Sequence, residues 1–220
     1  DASLVAFGDV QAAASNSDPS VVTTDTLSAI RGLNFISVNH ADYQAAIAGE
    51  AEIMDVAALQ ALIDSVDTSI VAFDNVQQAA TSSDASGLTD TTLNAIRGFT
   101  FNLDNFSDYQ GAIAAEAQII DVAALQALIG SVDASLAAFA SVQSAVTNSD
   151  ASTISTETLN AIRGLTSNSD HLSDYQAAIA EETSIADVTA LQALIDSVDA
   201  SLAAFASVQA AATNNNGATI

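Results

Sequence analysis

The stretch DVAALQALIDSVDTSIVAFDNVQQAAT, residues 55–81, decides the fold of this chain. Its larger apolar residues recur at spacings of three and four, which places them on one stripe of an α-helix. These residues are Val56, Leu59, Ile63, Val66, Ile70 and Phe73. Asp55 precedes the stripe as an N-cap, and alanine, the strongest helix former, fills much of the remainder. We therefore expect one long helix that continues without a break across Val66–Asp67.

The same stretch returns at intervals of 66 residues, so the sequence is an internal repeat. The pattern D-(A/T)-S-(L/I)-(V/A)-A-F begins at Asp1, Asp67, Asp133 and Asp199. This spacing predicts three full repeats over residues 1–66, 67–132 and 133–198. A partial repeat over residues 199–220 would contain a C-terminal helix and the polar tail TNNNGATI. In chains of this kind each unit packs on its neighbours along the chain. A second unbroken helix is therefore expected across Val132–Asp133.

Two shorter helices are expected in each repeat. The first is TDTLSAIRG, residues 24–32, and its equivalents. The expected N-caps are Thr23, Thr89 and Ser155, and the expected glycine stops are Gly32, Gly98 and Gly164. The second is DYQAAIAGE, residues 42–50, with Ser107 and Ser173 as N-caps of the later copies.

These elements predict the fold class. The sequence shows no strand pattern, and its only proline, Pro19, lies in a polar loop. It therefore predicts an all-α protein made of tandem 66-residue helical bundles that are joined by long continuous helices. A spectrin-like rod and a helical solenoid both fit this description.

The composition limits the partners that the chain can bind. The 220 residues include 27 acidic side chains, three arginines and no lysine, which gives a net charge of −24. Apolar residues make up 50% of the chain, enough for it to fold rather than remain disordered. Nucleic acids and anionic membrane surfaces are bound by clustered Lys and Arg, so neither is expected as a partner. No run approaches the roughly 18 uninterrupted apolar residues of a membrane span, so no membrane insertion is expected.

Catalytic and metal chemistry lack the necessary residues. The chain has no cysteine, and His40 and His171 occupy different positions of the repeat. Nucleophilic triads and transition-metal sites are built largely from these residue types. We therefore expect no enzymatic activity, no catalytic residue and no cofactor.

Calcium is the one metal for which the sequence offers candidate ligands. Asp18, Asp84 and Asp150 recur in the polar loops. Calcium takes about six to eight oxygen ligands, and one carboxylate per loop supplies few of them. Asp is also a common turn residue, because its side chain bonds to nearby backbone N–H groups. Turn formation is the interpretation that the sequence favours.

The three arginines occur in one recurring heptapeptide, TLSAIRG or TLNAIRG. They are expected in the last turn of the first short helix, where a cation interacts favourably with the helix dipole. Each is also expected to form a structural clamp with an acidic residue of its own repeat. The expected pairs are Arg31, Arg97 and Arg163 with Glu50, Glu116 and Glu182. The alternative acidic partners are Asp42, Asp108 and Asp174.

The recurring aromatic residues are expected in the core. The phenylalanines on the apolar stripe are Phe7, Phe73, Phe139 and Phe205. The tyrosines of the second short helix are Tyr43, Tyr109 and Tyr175, and a buried tyrosine hydroxyl usually finds a hydrogen-bond partner. An exposed aromatic stripe that binds sugar is the alternative. The glutamines near the end of the stripe are expected to make polar contacts that fix the helix register, and they are Gln11, Gln77, Gln143 and Gln209.

The repeat resembles the tandem spacer regions of large acidic bacterial surface proteins and adhesins. The phrases DYQAAIA and DVAALQALIDSV are similar to three-helix modules of some Gram-positive surface proteins. This resemblance implies an extracellular stalk that holds a distal binding domain away from a bacterial cell. Its partners would be neighbouring repeats of the same chain. One alternative is a self-associating subunit of a filament, a surface layer or a biofilm matrix. Another is a helical module that binds a protein, a glycan or ice.

Overall fold

A computed structural model describes residues 1–213 of the chain. Within this range the protein consists of α-helices, short 3-10 helices and loops, and contains no β-strand. The expected all-α fold class is therefore confirmed. The chain divides into two compact units, Asp1–Gln126 and Ala127–Ile220. Most of the expected polar tail, residues 214–220, lies outside the described residues.

The first unit contains six complete α-helices. They are α1 (Ala2–Asn16), α2 (Thr24–Ala29), α3 (His40–Ala48), α4 (Val56–Ser82), α5 (Asp90–Asn94) and α6 (Phe106–Ala115). The helix α7 (Val122–Asn148) contains the boundary between the units. The second unit continues with α8 (Thr156–Ala161), α9 (Leu172–Glu181) and α10 (Val188–Thr213). Short 3-10 helices lie at Pro19–Val21, Ser37–Asn39, Leu103–Asn105 and Ser169–His171.

The long helices begin and continue as the sequence predicts. Helix α4 includes Val66–Asp67 and α7 includes Val132–Asp133, so both expected junction helices are confirmed. The Asp55 carboxylate accepts the backbone N–H of Ala58 at 2.7 Å and thereby caps α4. Equivalent aspartates bond at the starts of α7 and α10 at 2.7 and 2.8 Å. These caps satisfy backbone donors that have no partner within the helix.

Helix α4 buries two different faces. Leu59, Ile63 and Val66 in its first half are buried, and these residues join the core that α1, α2 and α3 form. In the second half, Ala72, Val76, Ala79 and Ala80 are buried. At 3.6 residues per turn, the second face is rotated by about 120° from the first. The helix contacts α3 with its first half, and it also packs against α5 and α6.

Each unit has its own cluster of buried apolar side chains. In the first unit Val10, Leu27, Tyr43, Ile47 and Leu59 are completely buried. In the second unit the cluster is formed by residues of α7, α8, α9 and α10 together with loop residues such as Ile185. Complete burial of an aliphatic side chain contributes about 1.5–3 kcal/mol. These clusters are therefore the main source of stability in each unit.

The short helices differ from the expected ones at their ends. The threonine N-cap of α2 is confirmed, because Thr23 Oγ1 accepts the N–H of Thr26 at 3.0 Å. However, α2 ends at Ala29, so Arg31 lies after the helix and not in its last turn. The same correction applies to Arg97 and Arg163, which follow α5 and α8. Gly32 has a φ of 85°, and this left-handed conformation turns the chain after the arginine.

The expected serine caps of the second short helix are wrong. Helix α6 begins at Phe106 and α9 begins at Leu172, so Ser107 and Ser173 lie inside the first turn. A 3-10 helix leads directly into each of these α-helices, and the α-helix therefore starts earlier than a serine cap would place it.

Phe205 is a further exception, because its side chain is 61% exposed although the sequence placed it in the core. Phe7 and Phe139, at equivalent positions, pack against the buried clusters.

Three helices, α4, α7 and α10, are long and apolar enough to cross a membrane by the criteria of length and composition. The expectation that the chain does not insert into a membrane stays a prediction.

Candidate functional site

The three arginines lie where the chain turns back onto the helix that opens each repeat. The backbone N–H of each arginine donates to a serine hydroxyl at 2.9 Å. The pairs are Arg31 with Ser3, Arg97 with Ser69 and Arg163 with Ser135. The two residues of each pair are 28 positions apart. The bond therefore fixes the end of the short helix against the beginning of the repeat.

The guanidinium groups make additional contacts. Arg97 donates to Ser65 Oγ at 3.2 Å, and its ion pair with Glu50 has an N–O distance of 3.7 Å. Arg163 makes the equivalent bond to Ser131 at 2.8 Å. Both acceptors of Arg97 precede the repeat boundary at residues 66/67. This ion pair differs from the expected one, which joined each arginine to the glutamate of its own repeat. The arginine follows the helix end, and its side chain consequently extends toward the preceding repeat.

Arg97→Ala is expected to lower the free energy of unfolding by about 0–1 kcal/mol. The ion pair is long, and the two side chains are 39% and 42% exposed, so water screens the charges. Urea unfolding of the variant and the wild type measures the difference. Arg31→Ala is the matched control, because Arg31 is 84% exposed and its ion pair with Asp1 is also 3.7 Å long. A loss above about 3 kcal/mol in Arg97→Ala would indicate a buried ion pair and contradict this prediction.

The buried tyrosines connect the second short helix to the long helix that follows it. Tyr43 on α3 is completely buried, and its hydroxyl donates to the Asp67 carboxylate on α4. The same hydroxyl accepts the backbone N–H of Ile36 at 3.1 Å. Tyr175 on α9 repeats this arrangement and donates to Asp199 on α10 at 2.6 Å. The expectation of a buried tyrosine with a bonded hydroxyl is confirmed for Tyr43 and Tyr175.

A third side chain completes each of these clusters. Asn39 donates to the Asp67 carboxylate at 2.7 Å, and at the equivalent position the ring of His171 bonds to Asp199 at 2.7 Å. His40, in contrast, bonds to the carbonyl oxygen of Val22 at 2.7 Å. Each histidine therefore connects an α-helix to another part of the same unit. Among residues 1–213 no group of three or more His, Asp or Glu side chains is placed to hold a metal ion.

The tyrosine clusters change the pKa values of their members. Burial, together with the hydrogen bond to Asp67, raises the pKa of Tyr43. Burial and the bond to Asp199 raise the pKa of Tyr175 in the same way. The bonds from Tyr175 and His171 lower the pKa of Asp199, because they stabilise its carboxylate. Each cluster thus favours a neutral tyrosine beside an ionised aspartate.

The contribution of the Asp199 carboxylate to stability is expected to disappear in acid. The folded-state pKa is below the unfolded value of about 4, so the unfolded chain binds the proton first as the pH falls. Asp199→Asn should therefore be less stable than the wild type at neutral pH, and the difference should shrink below about pH 4. Urea unfolding at several pH values measures it, with Asp174→Asn as a control at an exposed position on α9. A difference that does not change with pH would contradict this prediction.

The glutamines make ties between loops and helices. Gln11 and Gln77 each donate to the backbone oxygen of an isoleucine at 2.9 Å, namely Ile53 and Ile119. Gln143 makes the equivalent contact at 3.5 Å. These bonds hold the segment before each following helix, in agreement with the expected role in helix register.

The expectations from sequence missed a second set of glutamines. The side-chain amide of Gln60 accepts the N–H of Asn34 at 2.7 Å and donates to the oxygen of the same residue at 2.9 Å. Gln126 and Gln192 pair in the same way with Thr100 and Thr166. A third set, Gln44, Gln110 and Gln176, donates to backbone oxygens of the loop before the first short helix. Their recurrence every 66 residues was the signal that could have identified them.

The calcium candidates form turns. Each carboxylate accepts the backbone N–H of the serine two residues later, at distances of 3.0, 2.9 and 2.9 Å for Asp18, Asp84 and Asp150. These bonds lower the pKa of all three aspartates. Asp84 and Asp150 also line open grooves of about 400 and 490 Å³. The other polar side chains in both grooves are hydroxyls and amides, so each groove supplies one carboxylate.

The polar residues that recur in the repeat thus serve as ties within each unit, and in the described chain they do not converge on one enclosed cavity. Comparisons with protein-family models, curated proteins and solved structures found no significant match to this chain.

Proposed function

We propose that the chain is a non-enzymatic structural spacer of an exported bacterial surface protein. Its function is to provide length between a cell and a distal binding domain. One observation carries this proposal: the recurring polar side chains are used to hold helices and loops of the same unit together. The serine, glutamine and tyrosine bonds described above recur at equivalent positions 66 residues apart. A spacer needs each unit to fold and needs little else.

The architecture that we propose is a series of 66-residue helical bundles joined by shared long helices. The two buried faces of α4 support it. One face contributes Leu59 and Ile63 to the core of the first repeat, and the other buries Val76 and Ala79 where α5 and α6 pack. A helix that belongs to two consecutive bundles is the element that a spectrin-like rod or a helical solenoid requires.

The charge of the chain supports an aqueous, exported setting. A net charge of −24 keeps neighbouring chains apart and soluble. The apolar stripe of α4 packs on its own unit, and Asp64, Asp67 and Asp74 lie along the same helix. A charged residue at the centre of a bilayer costs about 2.5–3.5 kcal/mol on translocon-insertion scales. We therefore propose that α4, α7 and α10 serve as long helices of a water-exposed protein and not as membrane spans.

The proposal is tested by lengthening the chain. One or two extra copies of residues 67–132 are inserted after Val132, and the maximum dimension is measured by small-angle X-ray scattering. A spacer should lengthen by the same increment for each added copy. A Gly/Ser insert of equal length is the control, because a flexible chain grows as about the square root of residue number. Growth that follows the cube root of mass would indicate a compact particle and would overturn the proposal.

The role at the cell surface requires a second measurement. The wild-type and lengthened chains are placed between a cell-wall anchor and a small binding domain. Capture of a ligand immobilised beneath a polymer layer should increase with the number of repeats. Capture that is independent of repeat number would contradict the spacer role even if the chain is extended.

A further inference from the structure

The second half of α10, residues 199–213, exposes a face that is covered in the earlier long helices. Phe205 is 61% and Val208 is 42% exposed. At equivalent positions Val76 and Val142 are completely buried. In α4 the corresponding half packs with α5 and α6, whereas the described chain provides no following pair of short helices for α10. The repeat itself therefore shows what kind of structure covers this face.

Residues 199–213 are a near copy of residues 1–15, which form most of α1. Both segments keep the residues through which α1 enters the core of the first unit. These are Ala6, Phe7, Val10, Ala13 and Ala14, and their counterparts Ala204, Phe205, Val208, Ala211 and Ala212. The segments differ only at residues that are exposed in α1, namely Val5, Gly8, Asp9 and Ser15. The groove that holds α1 therefore fits the second half of α10 as well.

The α10 segment is the stronger helix of the two. It has Ala206 where α1 has Gly8, and glycine is among the least favourable residues inside a helix. It also extends a helix that already begins at Val188, whereas α1 begins at Ala2. Because helix nucleation is unfavourable and elongation is not, residues 199–213 are better prepared to occupy the groove.

Arg31 at the edge of this groove has fewer contacts than its counterparts. Arg97 donates its guanidinium to Ser65 and pairs with Glu50. Arg31 forms its backbone bond to Ser3 and a 3.7 Å ion pair with Asp1, with 84% of its side chain exposed. A second copy whose α10 occupied the groove in the same register would supply Ser197, Ser201 and Glu182 at the corresponding positions. The added acidic residue complements the exposed arginine.

From these observations we infer a head-to-tail contact between two copies of this chain. Residues 199–213 of one molecule pack against α2 and α3 of a second molecule, in the place of its α1. The displaced segment is released from the groove, and Phe205 and Val208 become buried in the core of the second molecule. This contact is independent of the spacer function, since it concerns the ends of the chain in solution.

The contact is tested by the concentration dependence of mass. The chain is unfolded in urea and refolded at increasing concentrations, because exchange requires release of α1, and its mass is measured by light scattering after size exclusion. Dimers and longer oligomers are expected for the wild type. Phe205→Asp should weaken the association at least about 10-fold, since it places a carboxylate in the apolar groove. Ser207→Asp is the matched control and should associate normally, because α1 itself has Asp9 at that position.

Two further variants identify the surfaces. Residues 16–66 appended after Thr213 would cover the exposed face in the same chain, and this variant should remain monomeric. A chain that lacks residues 1–15 and carries Phe205→Asp can accept the helix but cannot donate it. It should bind the wild type one to one and gain helical circular dichroism, even if it is unfolded alone, and it should not bind full-length Phe205→Asp.

Three results would overturn the inference. The first is a wild type that remains monomeric at all concentrations after refolding. The second is association of Phe205→Asp that equals that of the wild type. The third is failure of the acceptor variant to bind the wild type, which would assign any association to pairing between two α10 helices.

Discussion

Tyr43→Ala is expected to lower the free energy of unfolding by about 3–5 kcal/mol, the range for removal of a buried aromatic side chain. Tyr43 is completely buried, and its ring packs edge-on against Phe35 with the centroids 6.3 Å apart. The substitution leaves a cavity between α3 and α4. It also removes the hydroxyl that bonds to Asp67 and Ile36. Urea unfolding followed by circular dichroism measures this loss.

Tyr43→Phe separates the ring from the hydroxyl. Phenylalanine fills the same space, so only the hydrogen bonds are lost, at an expected cost of about 1–3 kcal/mol. Ala45→Ser, at an exposed position on the same helix, should stay within about 0.5 kcal/mol of the wild type. If Tyr43→Phe were as unstable as Tyr43→Ala, packing of the ring would contribute little. The proposed importance of the buried ring would then be wrong.

Thr68→Pro is expected to cost about 3 kcal/mol or more, because proline breaks the backbone hydrogen bond to Asp64 and clashes with its carbonyl group. Thr68 is exposed and lies in α4 between the two buried faces. The expected damage is therefore a kink in the backbone, without loss of a core side chain. Native-state hydrogen exchange should show faster exchange of amides on both sides of residue 68, together with lower stability in urea.

Thr68→Ala is the matched control for this prediction. Alanine occupies the equivalent positions Ala2, Ala134 and Ala200, and it has a higher helix propensity than threonine. The control should therefore be within about 0.5 kcal/mol of the wild type. Equal stability of the proline and alanine variants would show that an unbroken α4 is not needed to hold the first unit together.

The long helices were predictable because their signal is local. Asp55 caps α4, and the spacing of Leu59, Ile63 and Val66 defines a helical stripe within one turn of sequence distance. The second face of α4 was not predictable in the same way. It buries Ala72, Ala79 and Ala80, and exposed and buried alanines look alike in a hydropathy pattern.

The contacts of the candidate site depend on pairs that are distant in sequence. Tyr43 was expected in the core, but its partner Asp67 is 24 residues away and is one of many acidic side chains. The end of α2 was misplaced for a similar reason. The backbone N–H of Arg31 bonds to Ser3, 28 residues earlier, and local helix signals contain no information about that bond.

The two faces of α4 also restrict how the gene can change in length. Each residue added between Val66 and Ala72 would turn the second half of the helix by about 100° relative to the first. A single inserted codon would therefore rotate Val76 out of its packed position, whereas an insertion of seven residues would restore the phase to within about 20°. Length variation should consequently be tolerated in the polar loops and rejected at the centre of the helix. The uniform 66-residue period is the expected record of that restriction.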